Sequence, residues 1–145
     1  MRRSHTLTAV LALAITSSVA FALAPMVANW SGTITANNGG KITGDASMKP
    51  TADGTGTEVN VMLMGDAASV TRPWHVHIGS CAKGGGVFGG GKSYTPIATD
   101  ASGHGMTKAI LAVPTPDTGS YYVNIHESAG NMGKIVACGD LTKKM

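Results

Sequence analysis

Beyond residue 25 the chain nowhere repeats its apolar residues with the helical period of about 3.6. Short alternating runs rich in Val, Thr and Ile recur instead, broken by Gly, Pro, Asn and Asp. Alternation sends successive side chains to opposite faces, the pattern of a half-buried strand. Residues 57–64 show it most plainly: Val59, Val61 and Leu63 share one face, Glu58 and Asn60 the other. Further strands are expected over 27–36, 41–48, 74–78, 103–113, 120–127 and 134–141. Asn37-Asn38-Gly39-Gly40 marks a tight turn between the first two. Residues 79–96 are read as a long glycine-rich loop, 114–119 as a turn and 128–133 as a loop. Such a series describes an all-β domain, an antiparallel sandwich or barrel of seven or eight strands.

The N-terminus follows a different logic. Arg2 and Arg3 precede an uncharged apolar stretch over residues 7–23, and small residues Ala20, Ala22 and Ala24 close it. That order is the layout of a secretory signal peptide. Residues 1–24 are therefore expected to be a leader and 25–145 a single exported domain, periplasmic or secreted. Pro25 follows Ala24 directly, so cleavage after Ala20 or Ala28 is equally open.

Without the leader, nine Lys+Arg face eight Asp+Glu, a net charge of +1 with no basic run. Nucleic acid is not an expected partner. Export would place Cys81 and Cys138 in an oxidising compartment, where a pair reads as a disulfide. Gly86-Val87-Phe88-Gly89-Gly90-Gly91-Lys92-Ser93 literally fits a phosphate-binding loop. That motif needs a helix behind it, and Tyr94-Thr95-Pro96 opposes one. The segment is read as a surface loop, with no nucleotide expected.

Four histidines follow the leader, which carries His5: His75, His77, His104 and His126. His75 and His77 are two apart on an expected strand and so point to the same side. With His126 from a later strand they could hold copper or zinc. A His-x-His pair is also met as two plain surface histidines.

Trp74-His75-Val76-His77-Ile78-Gly79-Ser80-Cys81 resembles the copper-ligand strand of the copper/zinc superoxide dismutases. Val123-Asn124-Ile125-His126-Glu127 is similar to the strand bearing that family's later copper histidine. Gly133-Lys134-Ile135-Val136-Ala137-Cys138-Gly139 is similar to its last strand, and Asp100-Ala101-Ser102-Gly103-His104-Gly105 to the turn leading into an earlier one. The similarity runs in order over residues 57–141. It implies a Greek-key β-sandwich, a Cys81–Cys138 disulfide, copper on His75, His77 and His126, and superoxide as substrate. Homodimers are known in the family through varied surfaces.

Two departures qualify the likeness. No His, Asp or Glu stands between His77 and Asp100, so the family's zinc ligands and bridging histidine are missing and zinc is not expected. The family's substrate-guiding arginine, three residues before the second cysteine, is here Ile135, with Lys134 beside it. His104 is a possible fourth ligand, and Met62, Met64, Met106 and Met132 offer soft donors for Cu(I). A zinc-free copper protein with weak superoxide dismutation or none is expected. A copper-handling protein without turnover is the alternative. Tyr121-Tyr122-Val123-Asn124-Ile125-His126 is also similar to the domain repeated in chordin, which implies the same sandwich without a metal.

Overall fold

The computed structural model describes residues 29–144; the expected leader lies outside them. Nine strands follow in order: β1 (Asn29–Ala36), β2 (Thr43–Pro50), β3 (Thr57–Met64), β4 (Thr71–Arg72), β5 (Trp74–Ile78), β6 (Ile97–Ala98), β7 (Gly105–Leu111), β8 (Tyr121–Ser128) and β9 (Asn131–Lys144). β3 and β5 have the bounds read from the sequence. β9 begins earlier than expected, because residues 128–133 form a tight hairpin with Ser128 opposite Asn131 instead of a loop. Two-residue β4 and β6 are too short to leave any periodicity.

Seven strands form one antiparallel sheet in the order β5-β8-β9-β1-β2-β3-β7. The expected all-β architecture is present, with its two faces joined through β9 into a curled half-barrel. β9 hydrogen-bonds to β8 on one side and to β1 on the other. The curl brings β1 and β9 close together. A Cβ on Gly32 would stand 2.0 Å from the Asp140 carbonyl oxygen, so only glycine fits there. β4 and β6 form a separate ribbon that lies near β8 at one end of the sheet and β7 at the other.

Burial follows the alternation. Val59, Val61 and Leu63 are within 1% of fully buried, and Val76, Val123 and Ile125 join them from β5 and β8. Trp74 anchors the core beneath β5, its indole N–H donating to the Thr95 carbonyl at 2.8 Å. Large side chains of this kind each contribute roughly 1.5–3 kcal/mol when fully buried. Because Trp74 and Val76 face inward, His75 and His77 must face outward.

β5 is an edge strand, and its free edge is covered by the glycine-rich loop. Ile78 N–H donates to the Gly86 carbonyl at 2.9 Å and Phe88 N–H to the Val76 carbonyl at 2.8 Å. Capping an edge in this way removes a surface for unwanted pairing. Residues 91–93 make a single 3-10 turn. The Cys81–Cys138 disulfide is formed, tying the start of this loop to β9. Among the described residues no helix is long and apolar enough to cross a membrane.

Candidate metal centre

The outward face of β5 and β8 carries His75 and His77 from the first strand and Tyr122, Asn124 and His126 from the second. The pairing sets His75 opposite Asn124 and His77 opposite Tyr122. A register shift at Ile125/His126 acts as a β-bulge, which re-aims the side chain that follows. His126 is buried, 5% exposed, and its backbone N–H extends the ladder to the Pro73 carbonyl at 2.8 Å.

Potential ligand atoms of His75, His77 and His126 all lie within 4.8 Å of one another. The ring hydrogen bonds show which atoms they are. His77 Nδ1 donates to the Gly85 carbonyl at 2.9 Å, and His126 Nδ1 donates to the Met132 carbonyl at 2.6 Å. Both rings are thereby fixed with Nε2 as the free lone pair. His126 Nε2 stands 3.1 Å from His75 Nδ1. Two nitrogens bonded to one ion at about 2.0–2.1 Å, subtending about 90–110°, stand about 2.8–3.4 Å apart. His77 Nε2 is buried with no hydrogen-bond partner among the described residues. A buried polar atom in that state is costly, and a metal bond would satisfy it. Backbone carbonyls behind ligating histidines fix tautomer and orientation and raise basicity. The residues present fit a metal ion held by three imidazoles.

Electrostatics favour the neutral form of His75 and His126. Burial, reinforced by the neighbouring His126 and His77, pushes His75 down to about 4. Burial also lowers His126, against its bond to the Met132 carbonyl, with His77 adding to the depression. Neutral imidazole is the form that binds metal.

Aromatic rings wall the cluster. Tyr122 stacks on His77 with centroids 5.1 Å apart. Tyr94 meets His75 edge-on at 5.2 Å and Trp74 at 4.9 Å. Its hydroxyl donates to the Phe88 carbonyl at 2.7 Å. Gly85 cannot be replaced without moving the chain, since a Cβ there would sit 1.6 Å from the Ile78 carbonyl oxygen. Tyr122 was legible, having the same strand parity as His126. The carbonyls of Gly85 and Met132 had no signal in the sequence, because any residue supplies one.

His104 does not join this group. It precedes β7, the opposite edge of the sheet, in an Asp100 turn where its N–H donates to Asp100 Oδ1 at 2.9 Å. The fourth ligand weighed there is not among the clustered histidines: His104 stands just before β7, at the other end of the strand order from β5. Ile135 lies directly opposite His126, and Lys134 is paired with Glu127. Arg72 is also engaged, with Asp66 at 2.7 Å and the Glu127 carbonyl at 2.6 Å.

No protein-family model matches this chain, and no significant match to a curated protein is found.

Proposed function

We propose that this chain is an exported copper-binding protein of the superoxide dismutase-like type, holding copper on His75 Nδ1, His77 Nε2 and His126 Nε2 without zinc. The observation that carries the proposal is the buried, unpartnered His77 Nε2 facing a pair of imidazole nitrogens 3.1 Å apart. A set of three neutral imidazoles suits several metals, and affinities among divalent first-row ions peak at Cu(II). The order of the sequence motifs points to the same metal. The disulfide is compatible with an oxidising compartment, and the leader-like residues 1–24 give the route.

Copper, when bound, supplies a one-electron redox couple. The protein's own residues orient it and restrict access. The Gly85 and Met132 carbonyls hold two ligand rings, and Tyr122 and Tyr94 brace His77 and His75. At the position of the family's guiding arginine and beside it, no free cation is present among the described residues. Ile135 is apolar, and Lys134 is neutralised by Glu127. Electrostatic steering raises on-rates by about 10–10³, so its absence favours copper holding over fast superoxide turnover. The clustering of the histidines favours either copper reading over a metal-free, chordin-type sandwich.

Copper-loaded wild type and Ile135→Arg should be compared for superoxide dismutation. Slow wild-type turnover that rises at least about tenfold in Ile135→Arg, with the gain lost at high salt, supports a copper site lacking only its guiding charge. Fast wild-type turnover would contradict copper holding as the main role. Failure to load copper would contradict the site.

A further inference from the structure

Methionine normally fills core gaps, and Met48 does so, fully buried in the centre of the sheet. Met62, Met64 and Met106 do not. Met106 is 73% and Met64 40% exposed, and all three lie on the outward face at the β7 edge. Met62 is the direct cross-strand partner of Met106, and Leu63 that of Gly105. His104 directly precedes Gly105 and lines the same hollow as Met64. Directly opposed residues have Cβ atoms about 4.5–5.5 Å apart. Residues two apart on a strand are separated by about 6.8 Å. Three long thioether side chains, each with three rotatable bonds, and one imidazole therefore share a patch small enough to converge. They line one open hollow of about 310 Å³ together with Asp100.

The rim is polar. Asp45 lies opposite Met62 and Thr43 opposite Met64 on β2, and Lys108 follows on β7. An apolar docking face would be broken by these groups. A soft-donor pocket beside two carboxylates is suited to a cation.

We propose that Met62, Met64, Met106 and His104 form a second metal site, for a soft monovalent cation of the Cu(I) class. Thioether sulfur selects Cu(I) over harder ions. The site lies at the opposite edge of the sheet from the three-histidine cluster and does not depend on what that cluster binds.

Silver(I) is a diamagnetic probe with the same ligand preference. It should be titrated into protein carrying isotope-labelled methionine methyl groups, with the disulfide intact, in wild type and in His77→Ala. The expected result is saturable shifts of the Met62, Met64 and Met106 methyl signals at one Ag(I) per chain, with Met48 unmoved. These shifts should persist in His77→Ala, which separates this site from the histidine cluster. Met62→Leu/Met106→Leu, which changes only outward-facing side chains, should weaken the response at least about tenfold. Should His77→Ala fail to fold, the wild-type shifts and the double variant decide alone. The proposal is overturned if the three signals stay still up to tenfold excess Ag(I), if only Met132 moves, or if the double variant binds Ag(I) unchanged.

Discussion

At the scale of single residues, the candidate centre depends on how three imidazoles are aimed and on how burial holds His75 and His126 neutral. His75 is the clearest case for a pH test. Its pKa falls from about 6.5 in the unfolded chain to about 4 in the fold. The unfolded state therefore binds more protons between these values. The contribution is fully present above about pH 6.5 and is lost as pH falls toward about 4. Metal-free wild type should lose stability between pH 7 and pH 5, and His75→Asn should lose distinctly less, measured by urea unfolding at both pH values. Identical losses would show that His75 is not held neutral by burial. Gly85→Ala belongs at this scale too. The clash with the Ile78 carbonyl should displace the acceptor of His77 Nδ1 and weaken Cu(II) binding by about 10–100-fold, the usual cost of losing an outer hydrogen bond to a ligand. A calorimetric titration against wild type measures it, and an unchanged affinity would remove Gly85 from the site.

Among the elements, the loop over β5 and the hairpin β8–β9 carry the ring-holding carbonyls, and each is fastened by one strong link. The Cys81–Cys138 bond closes a span of 57 residues, which the chain-entropy model values at about 4 kcal/mol. Cys81→Ser/Cys138→Ser should lower the unfolding free energy by about that amount and weaken copper binding as well, since the freed loop bears Gly85. Equilibrium denaturation checks the first effect and metal titration the second. Arg72 fastens the hairpin side. It pairs with a nearly buried Asp66, the two side chains being 12% and 2% exposed, and donates to the Glu127 carbonyl next to His126. Arg72→Ala leaves the Asp66 carboxylate unpaired and should cost about 3–5 kcal/mol in denaturant unfolding. A cost below about 1 kcal/mol would place the pair with ordinary surface bridges. Strands with unbroken alternation, such as β3, were legible to the residue. The start of β9 was not, because Asn131 and Gly133 carry turn chemistry that cross-strand pairing overrides.

For the whole molecule, one curled sheet separates two outward regions: histidines at the β5 edge and methionines at the β7 edge. The sequence was enough to place His75 and His77 on one side, since strand parity alone does so. It was enough to expect His126 near them only through the order of motifs, because meeting across β5 and β8 is set by long-range pairing that no local pattern encodes. For the same reason His104 could be weighed as a ligand from its chemistry, while no local pattern showed that it stands by β7, at the far end of the strand order from β5. The central claim is a copper ion on His75, His77 and His126. The most direct measurement is a Cu(II) titration of metal-free protein followed by electron paramagnetic resonance, in wild type and in His77→Ala. The account predicts one Cu(II) per chain with hyperfine coupling to three imidazole nitrogens, and loss of that signal and of tight binding in the variant. Binding of equal strength with an unchanged spectrum in His77→Ala, or no stoichiometric binding in wild type, would contradict it.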